Sequence, residues 1–259
     1  MIPALLHFIW IEQNRPFGRV EYLSLKSALK NTPYKIILHT NLQPGQAGPY
    51  DPYVLLSERF SIQHQTYSCV VKGVRVRPAT LSDILRIQVL QEYGGIYSDL
   101  DVIWLKPFPI PLEDYTLVGT WDNQSYKILA NGILASRKNY DFTPLLKTFD
   151  EIFDSLAKKG ITSIEGDTLK EHITLYKATG NFFKEHADHI LKKKWFLKNS
   201  WKNIWRFLTN QIPESKITLD GICGIHIWSC GLFGQYKVNT TDLLTKHSAL
   251  KKICDELEN

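Results

Sequence analysis

Long apolar segments are missing from this sequence. No uninterrupted run approaches the roughly 20 apolar residues that a helix needs to cross a bilayer. Residues 1–10 show neither a basic leader nor a small-residue cleavage site. We therefore expect no transmembrane segment and no signal peptide, with Met1 to Ile11 forming a first strand. The expected location is cytoplasmic, with at most peripheral membrane contact.

Cysteine is scarce and irregularly spaced. The chain has 4 cysteines in 259 residues, and none of their spacings is that of a metal-ligand set or a redox motif. A chain of this length that is 44% hydrophobic buries enough apolar surface to fold without disulfides. Internal repeats are also missing, so we expect one domain over 1–259. The thiols expected to be reduced and to serve packing are Cys69, Cys223, Cys230 and Cys254.

Acidic residues are missing from one stretch, 192–206, which holds six cations. Taking these six away from the net charge of +5 leaves −1. The basic character is therefore local, and we do not expect nucleic acid as a partner. The six are Lys192, Lys193, Lys194, Lys198, Lys202 and Arg206.

Three of the seven tryptophans, Trp195, Trp201 and Trp205, lie in the same stretch. Their spacing predicts a basic aromatic helix over 192–208, which has two interpretations. One is an ordinary amphipathic helix packed on the core. The other is a helix lying in an anionic membrane surface, with tryptophans at headgroup level, beside a lipid-linked acceptor.

Apolar runs near the start of the chain indicate an α/β fold. Leu5–Ile11 and Tyr34–Thr40 are continuous apolar stretches typical of parallel strands buried on both faces. Val20–Leu29, between them, has helical spacing. This β-α-β unit predicts a Rossmann-like sheet, whose ligands bind beyond the carboxyl ends of the strands, where Trp10 and Asn41 stand.

The rest of the chain predicts further helices and strands. Glycine and proline clusters separate them. In order, they are a loop over Gln43–Pro52, a helix from Thr80 to the pair Gly94-Gly95, a strand over Ile96–Leu105, a hairpin at Asn131-Gly132, a helix over Pro144–Leu156, helical segments over Leu169–Leu208, a strand over Gly221–Gly234 and a polar tail.

Two aspartates in the predicted strand Ile96–Leu105 carry the strongest chemical signal. Because alternate strand residues share a face, Asp99 and Asp101 should project the same way, about 6.6 Å apart. Carboxylate oxygens select a hard divalent ion such as Mn2+ or Mg2+. Such an ion bridges two phosphates and takes up charge as a nucleoside diphosphate leaves.

A second polar pair, Asp83 and Arg86, lies near the start of the preceding helix. Residues three apart are neighbours on a helix surface, so Arg86 can reach a phosphate or sugar hydroxyl and Asp83 a ribose hydroxyl. A structural alternative stays open for Asp83, because Thr80-x-x-Asp83 also fits a capping box.

One motif resembles a known family. It is Ala79-x-x-Ser82-Asp83-x-x-Arg86-x-x-x-Leu90-x-x-Tyr93-Gly94-Gly95-Ile96-Tyr97-x-Asp99-x-Asp101. The string is similar to the DXD-motif glycosyltransferases, which include bacterial capsular sugar transferases and Golgi mannosyltransferases, with the glucosylating domains of clostridial toxins as distant relatives. The similarity covers Leu5 to about Phe108. It implies a GT-A-type nucleotide-sugar-binding half over 1–120, an acceptor-side half with helical additions over 121–259, and a retaining reaction.

The resemblance also implies roles for single residues. Asp101 would bind the metal and Asp99 the donor sugar and the metal's shell, while Asp83 and Arg86 would bind the ribose and sugar. The strand end Phe8-Ile9-Trp10 is similar to the segment whose tryptophan stacks on the nucleobase. The implied catalytic residues are Asp99, Asp101 and Arg86, and the implied donor-binding residues are Ile9, Trp10, Asn41, Asp83, Arg86, Tyr97, Asp99 and Trp228.

Two later pieces resemble the family more loosely. Gly224–Ser229 is similar to its C-terminal His-x-x-x-Ser-Trp region, which implies His226 as a third metal ligand beside Asp99 and Asp101. A hydrogen-bonded core histidine is the alternative for His226. The sequence departs from the pattern from Cys230 onward, where serine and tryptophan are often found. Thr179–Asn181 resembles a Thr-Gly-Pro turn and is expected to form a pocket loop.

Together these features predict a retaining transferase that depends on Mn2+ or Mg2+. It would move a hexose from UDP- or GDP-hexose to a glycan or lipid-linked acceptor. A toxin-like effector that modifies a protein acceptor is the alternative. Two further classes are a nucleotide-sugar-binding protein without catalysis, which would be expected to lose its metal ligand first, and a phosphohydrolase or glycoside hydrolase, since paired carboxylates serve those reactions too.

Overall fold

The structure is a computed structural model that describes residues 1–12, 16–121, 129–164, 169–191, 221–227 and 248–258. Within these ranges the chain forms eleven strands and five α-helices. The strands are β1 (Leu5–Trp10), β2 (Lys35–Thr40), β3 (Phe60–His64), β4 (Val70–Val71), β5 (Val74–Arg75), β6 (Gly95–Ser98), β7 (Val102–Trp104), β8 (Leu117–Trp121), β9 (Leu129–Ser136), β10 (His189–Leu191) and β11 (Gly224–His226). The helices are α1 (Arg19–Asn31), α2 (Pro78–Tyr93), α3 (Thr143–Lys158), α4 (Leu169–His186) and α5 (Ser248–Glu258), with short 3-10 helices at Gly48–Tyr50, Pro52–Leu55 and Leu112–Asp114.

Seven strands form the central sheet, in the order β10-β8-β9-β6-β1-β2-β3. β1 runs parallel to β2 and β6, β2 to β3, and β8 to β10. β9 runs antiparallel to both of its neighbours, β6 and β8. Two antiparallel ribbons, β7 with β11 and β4 with β5, lie outside this sheet. The predicted α/β fold is therefore confirmed.

Helices cover both faces of the sheet, because successive strand residues point into two different apolar cores. Leu6 and Phe8 pack in one core with Leu25 of α1. Ile9 packs in the other with Ile87 of α2 and with residues of α3 and α4. Burial on both faces explains why β1 and β2 appear in the sequence as unbroken apolar runs.

The connection from α2 to β6 depends on two glycines. Gly94 and Gly95 have φ angles of 67° and 97°, in the left-handed region that side chains disfavour. A Cβ on Gly95 would also lie 2.8 Å from the Cβ of Leu5. The predicted end of the helix at this pair is confirmed, and the chain enters β6 directly after it.

The predicted continuous strand Ile96–Leu105 is wrong. β6 ends at Ser98, and the chain turns at once, with the backbone N–H of Val102 donating to the carbonyl of Asp99 at 3.3 Å. β7 then pairs with β11 in a separate ribbon. Aspartate favours turns, because its side chain competes for backbone hydrogen bonds, and two aspartates stand here.

The predicted hairpin at Asn131-Gly132 is also wrong. β8 and β9 do pair antiparallel, but Asn131 and Gly132 lie inside β9, which is buried along its whole length. The segment that joins the two strands, 122–128, is outside the described residues. Gly132 packs directly against the side chain of Asp99, where a Cβ would not fit.

Three predictions for the second half need correction or fall outside the structure. The helix predicted over Pro144–Leu156 is confirmed as α3, whereas the helical region predicted from Leu169 is interrupted by β10. The expected pocket loop Thr179–Asn181 lies inside α4, with the Thr179 hydroxyl donating to the Leu175 carbonyl at 3.1 Å. The basic aromatic helix predicted over 192–208 is outside the described residues.

The predicted polar tail contains a helix, α5, which packs on α1. Arg19 of α1 binds Glu258 through both oxygens, at 2.8 Å each. Cys254 is fully buried, which agrees with its expected packing role. In the part of the chain that the structure describes, no helix is both long enough and apolar enough to span a bilayer.

Candidate active site

The Asp-x-Asp motif lies in the turn that follows β6. The backbone N–H of Asp99 donates to the Gly132 carbonyl at 2.7 Å, so Asp99 is the last residue held to the sheet. The chain then turns, and Asp101 directly precedes β7. The two carboxylates therefore converge because of a turn, and not because they share one face of a strand as predicted.

β11 brings a histidine to these carboxylates. Its antiparallel register places His226 opposite Val102, and the N–H of Ile227 donates to the carbonyl of Asp101 at 2.8 Å. His226 Nε2 lies 2.9 Å from Asp101 Oδ1 and 3.8 Å from Asp99 Oδ2. The structure thus brings together the three side chains that the resemblance implied as metal ligands.

The three side chains lie close enough together to hold a divalent metal ion. One ligand atom from each of Asp99, Asp101 and His226 lies within 4.8 Å of the others. Around an octahedral ion with bonds of about 2.1 Å, neighbouring ligands are about 3.0 Å apart and opposite ligands about 4.2 Å. The distances of 2.9 and 3.8 Å from Nε2 fall near this range. Carboxylate oxygens suit hard divalent ions such as Mn2+ and Mg2+.

Arg86 ties α2 to this site. Its Nη2 lies 2.8 Å from Asp83 Oδ1, its Nη1 lies 3.4 Å from Asp99 Oδ1, and its Nε donates to the Ser82 carbonyl at 3.1 Å. The guanidinium also stacks 4.5 Å from the centre of the Tyr97 ring, a favourable cation–π arrangement. Every nitrogen of Arg86 therefore has a protein partner.

The capping-box alternative for Asp83 is wrong. α2 begins at Pro78 with Arg77 as its N-cap, so Thr80 lies within the first turn and does not cap the helix. The Asp83 side chain is 3% exposed and faces Arg86. A buried carboxylate needs such a partner, and its position beside the site leaves the functional interpretation of Asp83 in place.

Tyr97 completes the surroundings of Asp99. Its hydroxyl donates to Asp99 Oδ1 at 2.7 Å and lies 3.3 Å from the Ser82 hydroxyl. Burial raises the pKa of Tyr97 well above its usual range. Burial also raises the pKa of Asp99, while the positive charge of Arg86 opposes that rise. Burial alone would lower the pKa of Arg86. Tyr97, Asp83 and Asp99 together raise this pKa by more than burial lowers it, so the guanidinium stays charged.

β9 forms a wall of the site that the sequence analysis missed. Asn131 Nδ2 donates to Asp83 Oδ1 at 2.8 Å, and the Asn131 carbonyl accepts from Arg86 Nη1 at 2.6 Å. A Cβ on Gly132 would lie 2.6 Å from Asp99 Oδ2 and 3.2 Å from His226 Cε1. In the sequence, Asn131-Gly132 interrupts an apolar run, and this pattern is typical of a buried strand that contributes to a site rather than of a hairpin turn.

Three of the residues expected to bind the donor lie at or next to the predicted strand ends. Trp10 ends β1, is 8% exposed and packs edge-on against Phe17, with ring centres 5.4 Å apart. Ile9 is buried in the core next to α2. Asn41 follows β2 and binds the backbone of Glu12 at both ends of its amide, at 2.7 and 3.1 Å. Trp228 is outside the described residues.

Comparison with known proteins identifies the motif region. Residues 19–121 match the family model described as the glycosyltransferase sugar-binding region containing the DXD motif, which confirms the family resemblance. A stretch of 156 residues is 27% identical to Subversion of eukaryotic traffic protein A of Legionella pneumophila subsp. pneumophila, covering 53% of this chain and 23% of that protein. The chain therefore spans about a quarter of that relative's length.

Solved glycosyltransferases are similar to this chain in structure. The apo form of GlyE from Streptococcus pneumoniae TIGR4 aligns over 98% of this chain and 62% of that chain, with a TM-score of 0.56 and 14% identity. The PaToxG glycosyltransferase aligns over 71% of this chain and 69% of that chain, with a TM-score of 0.46 and 22% identity. The likeness to GlyE confirms the GT-A-type fold, and the matched motif region supports a transferase.

Proposed function

We propose that this chain, whose residues 19–121 match a DXD glycosyltransferase region, transfers a hexose from a nucleoside-diphosphate sugar to an acceptor and retains the anomeric configuration. One observation carries the proposal: ligand atoms of Asp99 and Asp101, which belong to the matched region, and of His226, which lies outside it, converge within 4.8 Å. They lie beside β6 and β1, near the carboxyl ends of parallel strands, where such sheets bind nucleotides.

Asp99, Asp101 and His226 hold the divalent ion in this proposal. When bound, the ion would supply Lewis-acid chemistry, neutralising the charge that develops on the leaving diphosphate. The site favours a cation, because three carboxyl groups, those of Asp83, Asp99 and Asp101, surround a single guanidinium, that of Arg86. Mn2+ and Mg2+ both suit this ligand set.

The other side chains bind and orient the donor. Asp83 and Arg86, implied for the ribose and the sugar, are 2% and 5% exposed and act in this proposal through Asp99, which Arg86 and Tyr97 both contact. Trp10 offers its indole to the base, with Ile9 and Asn41 beside it at the strand ends, and Trp228 follows the metal ligand of β11 by two residues. Partial exposure supports this arrangement, since the Asp99 and Asp101 side chains are 26% and 14% exposed and so remain open to a ligand.

The decisive experiment incubates the protein with UDP- and GDP-hexoses and Mn2+, with and without a glycan acceptor, and follows nucleotide release. Transfer needs the acceptor, hydrolysis needs only water, and a binding protein releases no nucleotide. NMR of the product's anomeric proton then shows whether configuration is retained. Turnover that persists unchanged in the presence of a strong chelator would refute the metal-dependent mechanism. A thermal-shift panel identifies the donor first, because a ligand of the native state raises its stability.

A second acceptor class is favoured by one comparison. The Legionella pneumophila relative is named Subversion of eukaryotic traffic protein A, and this name supports the interpretation of the chain as an effector that glycosylates a protein. Incubation with eukaryotic cell extract, labelled donor and Mn2+ separates the two classes. Label in trypsin-sensitive material supports a protein acceptor, and label in lipid or polysaccharide supports the glycan or lipid-linked acceptor.

The basic aromatic stretch 192–208 supports a membrane-bound acceptor. Its six cations contribute roughly 1 kcal/mol each near an anionic surface. We expect cosedimentation with vesicles containing anionic lipid, and release when Lys193, Lys194, Lys198 and Lys202 are changed to Glu. Hydrolysis of the soluble donor should be unaffected. Wild-type protein that ignores anionic vesicles at low salt would remove this support.

A further inference from the structure

We infer that Asn131 of β9 is a positioning residue of the site: it sets the orientation of Asp99 through Asp83 and Arg86, without contacting the donor. The inference deepens the proposed transferase function and rests on it. Three hydrogen bonds and one close approach connect β9 to Asp83, Arg86 and Asp99.

Asn131 holds both members of the Asp83–Arg86 ion pair. Its side-chain amide donates to Asp83 Oδ1 at 2.8 Å, and the same oxygen lies 2.8 Å from Arg86 Nη2. Its backbone carbonyl accepts from Arg86 Nη1 at 2.6 Å. Asn131 is 7% exposed, Asp83 2% and Arg86 5%, so the three groups form a closed, buried triangle. In such surroundings each hydrogen bond to a charged group is strong.

Arg86 links Asn131 to Asp99, because it contacts both residues. The Nη1 that binds the Asn131 carbonyl also lies 3.4 Å from Asp99 Oδ1. The Tyr97 hydroxyl holds the same oxygen at 2.7 Å, which leaves Oδ2 on the side of His226. When the Asn131 amide is lost, Asp83 competes more strongly for Arg86 and draws it away from Asp99.

Gly132 sets the separation between β9 and Asp99. The Asp99 N–H donates to the Gly132 carbonyl at 2.7 Å. A Cβ on Gly132 would lie only 2.6 Å from Asp99 Oδ2, so glycine permits this closeness. Consecutive residues of one strand thus hold the two aspartates, with the Asn131 amide on the Asp83 carboxylate and the Gly132 carbonyl on the Asp99 backbone N–H. Their spacing is set by the rigid backbone of β9.

The first test is structural and needs neither metal nor donor. In ligand-free protein, the 13C resonance of the Asp99 carboxyl group is compared between wild type, Asn131→Leu and Thr120→Val. Thr120→Val is a matched control, because it removes a buried side-chain hydrogen bond to β9, from Thr120 to the Ile133 carbonyl at 2.8 Å, without touching a carboxylate. We expect Asn131→Leu to shift the Asp99 resonance and Thr120→Val to leave it in place. An unshifted Asp99 resonance in folded Asn131→Leu overturns the inference.

The second test distinguishes positioning from donor contact. Asn131→Asp and Asp83→Asn are each compared with the exchanged pair Asp83→Asn/Asn131→Asp, which restores one carboxylate and one amide across the same contact. All are assayed well below their melting temperatures. Each single variant should lose about 10- to 100-fold in kcat/KM, and the exchanged pair should recover at least tenfold over the worse of them. Failure of the exchange to recover activity overturns the inference.

Failure of the proposed function gives a different pattern. If wild-type protein turns over no nucleotide sugar while Asn131→Leu still shifts the Asp99 resonance, the transferase proposal fails and the positioning link stands. If wild-type protein is active and Asn131→Leu matches it both in kcat/KM and in the Asp99 resonance, the link fails and the function stands.

Discussion

Acidification should destabilise this protein through a buried pair of histidines. His7 of β1 and His39 of β2 are 0% and 1% exposed, and His7 Nδ1 lies 3.1 Å from His39 Nε2. His7 Nε2 lies 2.9 Å from the Gly94 carbonyl. A carbonyl only accepts hydrogen bonds, so Nε2 of His7 carries the proton and Nδ1 accepts the proton of His39. Protonation of either ring breaks this arrangement.

The magnitude follows from the two pKa values. Burial lowers the pKa of His7 to about 4, and burial together with the neighbouring His7 lowers the pKa of His39 to about 3. An unfolded histidine has a pKa of about 6.5. Below that value the unfolded chain binds two protons that the folded chain does not, so the free energy of unfolding falls with pH until the folded values are reached. From pH 7 to pH 5 the loss is about 2 kcal/mol per histidine, about 4 in total, with a slope of about 2.5 kcal/mol per pH unit near pH 5.5.

Urea titrations at pH 7, 6 and 5 measure this loss. In His7→Gln/His39→Gln the amide nitrogen of residue 7 can still donate to the Gly94 carbonyl but does not titrate. We expect the double variant to lose most of the pH slope, even where its stability at pH 7 is lower. His64→Gln, at an exposed position of β3, is the control and should keep the wild-type slope. A double variant with an unchanged slope would refute the assignment of acid sensitivity to this pair.

Three further predictions concern the site. Asp101→Asn should leave the circular dichroism spectrum unchanged and weaken Mn2+ binding at least 100-fold by calorimetry, because an amide lacks the charge that the ion requires; near-native Mn2+ affinity would remove Asp101 from the ligand set. Gly132→Ala should fold but bind Mn2+ about 10- to 100-fold more weakly, since its Cβ would lie 2.6 Å from Asp99 Oδ2, whereas Gly119→Ala, whose nearest contact would be 3.3 Å, should bind normally. Trp10→Ala should lower the free energy of unfolding by about 3–5 kcal/mol and weaken nucleotide binding by about 1–3 kcal/mol through lost stacking; unchanged nucleotide affinity in folded protein would make Trp10 a core residue only.

Local sequence predicted those parts of the fold that local physics determines. β1, α1 and β2 appear with nearly their predicted bounds, because a strand buried on both faces needs a continuous apolar run. The end of α2 at Gly94 follows from a backbone conformation that favours glycine. The break between β6 and β7 was missed, because the apolar residues after Asp101 could either continue β6 or form a strand of a second sheet. Pairing with β11 selects the second arrangement, and β11 lies far along the chain.

The site was predictable where a motif carried it and unpredictable where a neighbouring strand supplied it. Asp99, Asp101 and His226 were all named from the sequence. Asn131 and Gly132 were misread as a turn, because the dipeptide is the strongest short hairpin signal. Only tertiary contact, with Asp83 on one side and Asp99 on the other, reveals why those two residues stand in a buried strand.

In the proposed metal site, the β7–β11 ribbon makes the affinity for the ion depend on how completely the chain has folded. Asp101 and His226 are separated by 124 intervening residues, so a nascent chain displays two carboxylates long before the imidazole is synthesised. The proposed site therefore reaches its full affinity for the ion only when β11 pairs with β7. In the finished protein, brief detachment of this three-residue strand would loosen the ion without opening the seven-stranded sheet. A bound ion would in turn stabilise the paired ribbon by mass action. The concentration of the ion and the fraction of molecules with β11 paired to β7 would therefore be coupled.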